Sequence, residues 1–297
     1  MKRFKLWTML FVFCFILLPV VAMAQIAGPL VSTDDLEKNL TNPKVVVLDV
    51  RKVEEYKAGH IPGAISTVYG SWAIKKGDLL NEVPAKEDLI DLIGGAGITV
   101  DSIVVVVGKV DAPPDRVDAS RVAWTLKYMG VGQVVLLSGG YNKWVADKKA
   151  ISTDTVTPKA RVFAGKVNEK LFVNKAYVLS KLGSAAIVDV REPAVFRGES
   201  KLPFVAKAGR IKGAVNLPTS LIYNADVTYK SAAELAAIAA GVVGADKSRE
   251  IITYCDTGKF CTAWSLILSD LLGYKDVKVY DGSSQDWMAD PAAPVEP

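Results

Sequence analysis

The chain contains 297 residues, of which 50% are hydrophobic, and it has a formal net charge of +4. This length is sufficient for two domains of ordinary size, each with its own core. No basic stripe with interleaved aromatic residues occurs in the sequence, which argues against nucleic acid as a partner. No glycine-rich phosphate fingerprint follows an apolar strand pattern, so we expect no nucleotide cofactor.

The N-terminal segment has the pattern of a secretory signal peptide. Three basic residues within positions 1–5 precede an apolar stretch at 6–21, and Ala22-Met-Ala24 supplies a small-residue cleavage site. Residues 1–24 carry three basic and no acidic residues, so their removal lowers the net charge from +4 to +1. The apolar stretch is short for a membrane-spanning helix. We therefore expect an exported, periplasmic protein with no stable membrane span after cleavage; a retained anchor is the alternative.

The cysteine and histidine content limits the chemistry further. Of the three cysteines, Cys14 lies in the leader, which leaves Cys255 and Cys261 in the mature protein. Two cysteines do not make the disulfide framework of a small secreted domain. The single histidine, His60, is far from both cysteines in the sequence, so we expect no metal site.

Strand and helix patterns alternate along residues 26–147, which predicts a first α/β domain. Its strands are apolar throughout, as expected of parallel strands covered on both faces. The polar segment 148–162 has the composition of a linker. The predicted strands are 44–49, 64–68, 103–107 and 133–137, and the predicted helices are 52–58, 86–93 and 120–129.

Residues 163–291 repeat the pattern and predict a second α/β domain, with strands at 186–189, 214–216, 250–254 and 277–280. Three motifs recur in the same order, which indicates a duplicated domain. They are Val46-Val-Leu-Asp49-Val-Arg51 with Ala186-Ile-Val-Asp189-Val-Arg191, Gly59-His-Ile-Pro-Gly63-Ala with Gly209-Arg-Ile-Lys-Gly213-Ala, and Leu137-Ser-Gly-Gly-Tyr-Asn-Lys-Trp144 with Tyr280-Asp-Gly-Ser-Ser-Gln-Asp-Trp287.

A cysteine ends one predicted strand of the second domain. Cys255 follows the apolar stretch 250–254, a short loop with Gly258 comes next, and a helix is predicted up to Gly273. Such a loop presents backbone N–H groups and the positive end of a helix dipole, which favour the reactive thiolate. The alternative is an inert core cysteine, since free cysteine is among the most buried residue types.

The aligned copies place Gly108 opposite Cys255, so the first copy has no nucleophile at this position. Its following loop, 108–119, is longer and contains Pro113 and Pro114. We expect a long loop with two prolines to be unable to wrap its amides tightly around a ligand, as the short loop after Cys255 can. On this interpretation the first copy lacks both the nucleophile and the shape of its pocket.

These motifs resemble the tandem-domain rhodanese family of sulfurtransferases. The resemblance implies a parallel sheet flanked by helices on both faces in each copy, an inactive first domain and a catalytic second domain. It also implies that the Cys255 thiolate attacks the sulfane sulfur of a small anionic donor, thiosulfate or mercaptopyruvate, and forms a persulfide. A thiol or cyanide then accepts the sulfur.

The candidate substrate-binding residues surround this cysteine. Gly258 is expected to take a positive φ, and Lys259 is the only cation of the loop. Asp256 departs from the basic residue that the resemblance implies for thiosulfate-preferring members. Arg191 ends a strand, but Arg51 repeats it in the first copy, so a structural ion pair is the alternative. The full set is Asp256, Thr257, Gly258, Lys259, Phe260, Cys261, Arg191 and Arg210.

Two other functions remain open from the sequence. A thiol–disulfide or oxyanion reductase would use Cys255 together with Cys261 as a resolving thiol; Cys261 as a small packed residue is the simpler interpretation. A sulfur carrier or binding module would receive sulfur from a partner without turnover on free donors.

Overall fold

Two parallel sheets organise residues 26–297, the part of the chain that the computed structural model describes. The expected signal peptide at residues 1–24 lies outside these residues. Within the described part, no helix is both long and apolar enough to span a bilayer.

The first sheet has the order β1-β7-β6-β2-β3, and all its strands are parallel. A separate antiparallel hairpin, β4–β5, lies between β3 and β6 in the chain. The strands are β1 (Leu30–Val31), β2 (Val45–Asp49), β3 (Ile65–Ser66), β4 (Ile74–Lys76), β5 (Leu79–Glu82), β6 (Ile103–Val107) and β7 (Gln133–Leu137). The helices are α1 (Thr33–Asn39), α2 (Val53–Ala58), α3 (Lys86–Gly95), α4 (Pro113–Arg116), α5 (Asp118–Tyr128) and α6 (Gly140–Ala146).

The second sheet repeats this order as β8-β13-β12-β9-β11, again with parallel strands. Its strands are β8 (Phe172–Val173), β9 (Ala186–Asp189), β11 (Val215–Asn216), β12 (Glu250–Tyr254) and β13 (Asp276–Tyr280), and β10 (Arg210–Ile211) pairs with β14 (Val295–Glu296) outside the sheet. The helices are α7 (Lys175–Lys181), α8 (Pro193–Phe196), α9 (Ala232–Val243), α10 (Cys261–Leu266) and α11 (Ser283–Ala289). A π-helical turn, Ile267–Leu271, continues α10.

Both faces of each sheet are covered, which confirms the predicted fold class. In β6, Val104 and Val106 belong to one buried cluster and Val105 and Val107 to another on the opposite face. The apolar side chains therefore alternate between two cores, as expected of a buried parallel strand. In the second sheet, the neighbouring residues Ile251 and Ile252 of β12 also belong to different buried clusters.

The two domains share one of these cores. The cluster that contains Val104 also contains Trp124 of α5 and Trp264 of α10, and the two helices pack against each other. Domain one is consequently in direct contact with the helix that follows Cys255. This contact places the candidate site at the junction between the domains.

Candidate active site

Cys255 lies directly after β12, the central strand of the second sheet, and its side chain is buried, with 1% of its surface exposed. The carboxyl end of a parallel sheet is the usual position for a ligand site. Residues 256–260, which we call the Cys255 loop, then lead into α10 at Cys261. Gly258 has a φ of 71°, and a Cβ at this position would lie 2.4 Å from the carbonyl oxygen of Asp281. Only glycine fits there.

Ser283 holds the loop through its hydroxyl group. Its Oγ accepts hydrogen bonds from the amides of Cys255 (3.1 Å) and Gly258 (3.0 Å) and donates one to the carbonyl of Tyr280 (2.8 Å). Ser283 has a φ of 49°, in the left-handed region that a non-glycine residue rarely occupies. The amides of Cys255 and Gly258 are therefore occupied by Ser283 Oγ, which itself lies 4.0 Å from Cys255 Sγ.

The environment of Cys255 favours its thiolate. Burial opposes ionisation, but a hydrogen bond from the Cys261 thiol and others from the amides of Thr257 and Cys261 outweigh it and lower the pKa of Cys255 to about 7. The negative charge of Asp256 acts in the opposite direction. Burial raises the pKa of Cys261 well above its usual value, and both thiols are free. At neutral pH a substantial fraction of Cys255 is therefore ionised, whereas Cys261 stays protonated and acts as the donor.

Arg191 is engaged by two carboxylates. Its guanidinium pairs with Asp189, with Nε 2.9 Å from Oδ1, and Nη1 lies 3.5 Å from Asp256 of the loop. Arg51 pairs with Asp49 in the same way, so the ion pair at the strand end is common to both domains. Asp256 has no counterpart in the first domain. The contact with Asp256 is the feature that connects Arg191 to the site.

Lys259 points towards the first domain. Its ammonium group lies 2.5 Å from a carboxylate oxygen of Asp118 and 4.5 Å from the ring centroid of Tyr69. Burial raises the pKa of Asp118, while the charge of Lys259 opposes this shift. The only cation of the Cys255 loop is thus used to bind the loop to domain one.

Arg210 is placed elsewhere. Its guanidinium lies 3.4 Å from Glu296 of β14 and 4.6 Å from the ring centroid of Phe196, and it donates a hydrogen bond to the carbonyl of Pro297. The structure therefore brings Arg191 to the Cys255 loop and leaves Arg210 at the C-terminal strand pair.

The first domain contributes a residue that sequence analysis missed. Arg121 of α5 is completely buried and donates hydrogen bonds to the carbonyl of Gly258 (2.8 Å), to Asp281 (2.5 Å) and to the carbonyl of Asn81 (2.5 Å). The Asn81 side chain in turn donates to Thr257 Oγ1 at 2.8 Å. These contacts join the Cys255 loop to the first domain.

A cleft of about 460 Å³ opens beside the Cys255 loop. Asp256, Phe260 and Arg191 line it from the second domain, and α4, with Pro113 and Pro114, lines it from the first. The proline-bearing loop after Gly108 therefore forms a helix that closes the cleft of the other domain.

The first domain keeps a cavity at the position that corresponds to Cys255, although its shape differs. A second cavity, of about 380 Å³, lies beside Gly108. Lys109 and Asp115, from the segment that follows Gly108, line this cavity together with Asp118 of α5. What the first domain lacks is the nucleophile and the short turn that places amides around it.

Among residues 26–297, no group of three or more His, Cys, Asp or Glu side chains is arranged to bind a metal ion.

Comparison with known families and relatives agrees with this architecture. The rhodanese-like domain matches twice, at residues 32–147 and 174–290. A putative thiosulfate sulfurtransferase of Mycolicibacterium smegmatis is 34% identical over 90% of this chain and 97% of its own length. The sulfur carrier protein TtuD of Thermus thermophilus is also 34% identical, over 87% of this chain and 93% of its own.

Among solved structures, the anaerobic ergothioneine biosynthesis enzyme of Chlorobium limicola, bound to trimethyl histidine, superposes with a TM-score of 0.79 and 26% identity. That match covers 90% of this chain and 69% of the enzyme. The structure of YnjE has a TM-score of 0.78 and 24% identity, which shows a shared fold. The chain therefore belongs to the rhodanese family, with two rhodanese-like domains in tandem, and its chemistry is sulfur transfer.

Proposed function

We propose that this protein moves a sulfane sulfur from thiosulfate or mercaptopyruvate to a thiol or cyanide through a persulfide on Cys255. The observation that carries the proposal is the position of Cys255: its buried thiol follows the central strand β12 and begins a short loop in which Gly258 takes a positive φ. Hydrogen bonds from the Cys261 thiol and from the amides of Thr257 and Cys261 lower the pKa of this thiol to about 7. The relative described as a putative thiosulfate sulfurtransferase supports the same chemistry.

In the first step, the Cys255 thiolate attacks the sulfur that is to be transferred. With mercaptopyruvate, the C–S bond breaks, and its electron pair and the thiol proton go to the leaving carbon, which becomes the methyl group of pyruvate. With thiosulfate, the S–S bond of the donor breaks and its electron pair leaves with sulfite, while a new S–S bond joins the outer sulfur to Cys255. No general base is required, because the thiol is already ionised near neutral pH. The two loop amides stabilise the charge on sulfur before and after transfer.

In the second step, the acceptor attacks the outer sulfur of the persulfide. The bond to Sγ breaks, and Cys255 leaves as a thiolate. A thiol with a low pKa is a better leaving group, so the same amides that prepare the nucleophile also assist the discharge. The enzyme returns to its starting state with the sulfur on the acceptor.

The first domain supports this chemistry without performing it. It has Gly108 in place of a nucleophile, and it contributes the buried Arg121 and the wall of the cleft formed by α4. We infer that domain one keeps the Cys255 loop in its active shape.

Steady-state turnover tests the proposal. Thiosulfate or mercaptopyruvate with cyanide should give thiocyanate continuously with the wild type and none above background with Cys255→Ser. The carrier function, which the name of the Thermus relative favours, predicts one equivalent of sulfur taken up and no continued turnover on small donors. The reductase function predicts that Cys261→Ser abolishes activity as completely as Cys255→Ser, whereas sulfur transfer requires only Cys255.

We further propose that the protein works in the periplasm after cleavage between Ala24 and Gln25, as the leader pattern indicates. N-terminal sequencing of protein from a periplasmic fraction tests this. A chain recovered with Met1 in the membrane fraction would favour the retained anchor.

A further inference from the structure

The hairpin β4–β5 of the first domain is attached to the second domain by hydrogen bonds. The amide of Leu80 donates to the side-chain oxygen of Gln285 (2.9 Å), and the Gln285 side chain donates to a carbonyl of the hairpin (2.7 Å). The amide of Val83 donates to the carboxylate of Asp281 (3.0 Å). Both partners flank Ser283, whose hydroxyl holds the Cys255 loop. The hairpin therefore rests on the segment that shapes the candidate site.

Glu82, the last residue of β5, lies at this contact, directly before Val83. Its Oε1 is buried, and no hydrogen-bond partner reaches this oxygen among residues 26–297. A buried carboxylate oxygen without a donor has lost its hydration and has gained no hydrogen bond in return. Burial at this position consequently disfavours the ionised form of Glu82 and favours the neutral carboxylic acid.

The cations near Glu82 are engaged with other partners. The guanidinium of Arg121 pairs with Asp281 at 2.5 Å. The ammonium group of Lys76, on the same hairpin, donates to the carbonyl of Val83 at 2.5 Å. Each cation therefore has a closer task than the neutralisation of Glu82, although both lower the energy of its charged form from a distance.

Two carboxylates of the second domain act on Glu82 in the opposite direction. Asp281 is fully buried, and Asp286 accepts from the hydroxyl of Tyr280 (2.7 Å) and pairs with Lys175 (3.3 Å). Burial, together with the negative charges of Asp281 and Asp286, raises the pKa of Glu82 to about 7. A side chain at the domain junction thus changes its charge close to neutral pH.

We propose that Glu82 makes the contact between the hairpin and the second domain depend on a proton. With its proton, Glu82 is neutral beside Asp281 and Asp286, and the hairpin lies against the second domain. When the proton passes to the solvent, a third negative charge appears at this contact and the hairpin loosens. Asn81, the neighbour of Glu82, donates to Thr257 of the Cys255 loop at 2.8 Å, so the loosening reaches the loop that surrounds the sulfur.

Urea unfolding between about pH 5.5 and 8 tests the proposal, with Glu82→Gln as the variant that keeps the shape and lacks the charge. Between the ordinary pKa of a glutamate and about 7, the folded state holds the proton and the unfolded state does not, so stability falls as the pH rises. A full difference of one proton changes the ratio of folded to unfolded protein about tenfold per pH unit, and we expect this ratio to fall at least about fivefold more in the wild type than in Glu82→Gln. The titration of Cys255 is common to both proteins and cancels in the comparison.

Asp78→Asn is the matched control, because Asp78 is an exposed carboxylate on the turn of the same hairpin. This variant should keep the pH dependence of the wild type. Hydrogen exchange supplies a measurement that needs no variant: after correction for intrinsic exchange, the protection of the Leu80 and Val83 amides should fall at least about threefold from pH 6 to 8 in the wild type. In Glu82→Gln this protection should stay constant. Either a parallel pH dependence of unfolding in the wild type and Glu82→Gln, or unchanged protection of these amides in the wild type, overturns the inference.

Discussion

Arg121 in the first domain donates a hydrogen bond of 2.8 Å to the backbone carbonyl of Gly258 in the second. The same guanidinium pairs with Asp281, and both side chains are fully buried. The Cys255 loop therefore depends on a residue more than a hundred positions earlier in the sequence. The contact links the domain without a nucleophile to the loop that follows Cys255.

Replacing Arg121 by methionine should strongly destabilise the protein. The substitution leaves Asp281 as a buried charge without its partner, and the expected loss in the free energy of unfolding is about 3–5 kcal/mol. Urea unfolding measures this loss. Lys127→Met is the control: Lys127 is also on α5 and pairs with Asp270 of the second domain, but this pair is partly exposed, so about 1 kcal/mol or less is expected. Equal losses for the two variants would contradict the role assigned to Arg121.

Removing the thiol of Cys261 should raise the pKa of Cys255 above its value of about 7, because Cys261 donates to the Cys255 thiolate. The rate of alkylation by iodoacetamide, followed against pH, should increase through a midpoint near 7 in the wild type. In Cys261→Ala the midpoint should move to higher pH, and alkylation at pH 7 should be slower.

Cys261→Ser provides the matched control, since a hydroxyl keeps a donor at the same position. Its midpoint should lie closer to that of the wild type than the midpoint of Cys261→Ala does. A midpoint in Cys261→Ala equal to or below that of the wild type would show that the thiol of Cys261 does not stabilise the thiolate.

Asp256 should weaken the binding of thiosulfate. Its carboxylate lines the cleft and lies 3.5 Å from Arg191. Asp256→Asn removes a repulsion and frees one side of the guanidinium, each effect being on the order of 1 kcal/mol in a partly solvated site. Together the two effects amount to about 2 kcal/mol, so the KM for thiosulfate should fall roughly thirtyfold and become more sensitive to salt.

Lys259→Met offers a comparison within the same loop. Since Lys259 is directed at Asp118 and Tyr69, its removal should change the KM for thiosulfate less than Asp256→Asn does. A larger effect at Lys259 would mean that this side chain faces the donor during catalysis.

A cysteine introduced at Gly108 should not restore activity in a Cys255→Ser background. The side chain itself fits, because a Cβ at Gly108 would make only ordinary contacts, the nearest at 3.5 Å to Ala119. The following segment, however, leads into α4, and α5 begins only at Asp118. No short turn places amides around the new sulfur. Appreciable turnover by Gly108→Cys/Cys255→Ser would show that loop length does not matter.

The fold class was predictable from the sequence because β2, β6 and β7 each contain a run of at least four consecutive apolar residues, and the motifs around them recur in the second domain. The edge strands β1 and β8 were not predicted, since each has only two residues and gives no periodic signal. The hairpin β4–β5 was also missed. Its residues are half-buried to exposed, and it contacts the second domain, where the amide of Leu80 donates a hydrogen bond to the Gln285 side chain.

The site was predictable at Cys255 and Gly258, where local sequence determines the conformation. Arg121 and Asn81 were not, because their partners are distant in the sequence and no local pattern marks a buried inter-domain arginine. Ser283 had a usable signal: it aligns with Gly140, and both residues have positive φ, 49° and 57°. The glycine in the first copy indicates that the backbone at this position takes a positive φ. A serine at the same position of the second copy must therefore adopt a conformation that is unfavourable for a residue with a side chain.

Locating the transferred sulfur tests the central claim most directly. After incubation with mercaptopyruvate or thiosulfate, intact mass should show one added sulfur atom, and peptide mapping should place it on Cys255. Cys261→Ser should still carry the sulfur on Cys255, cyanide should remove it, and Cys255→Ser should gain none. Sulfur found on Cys261, or a Cys255–Cys261 disulfide formed without any persulfide, would contradict the account.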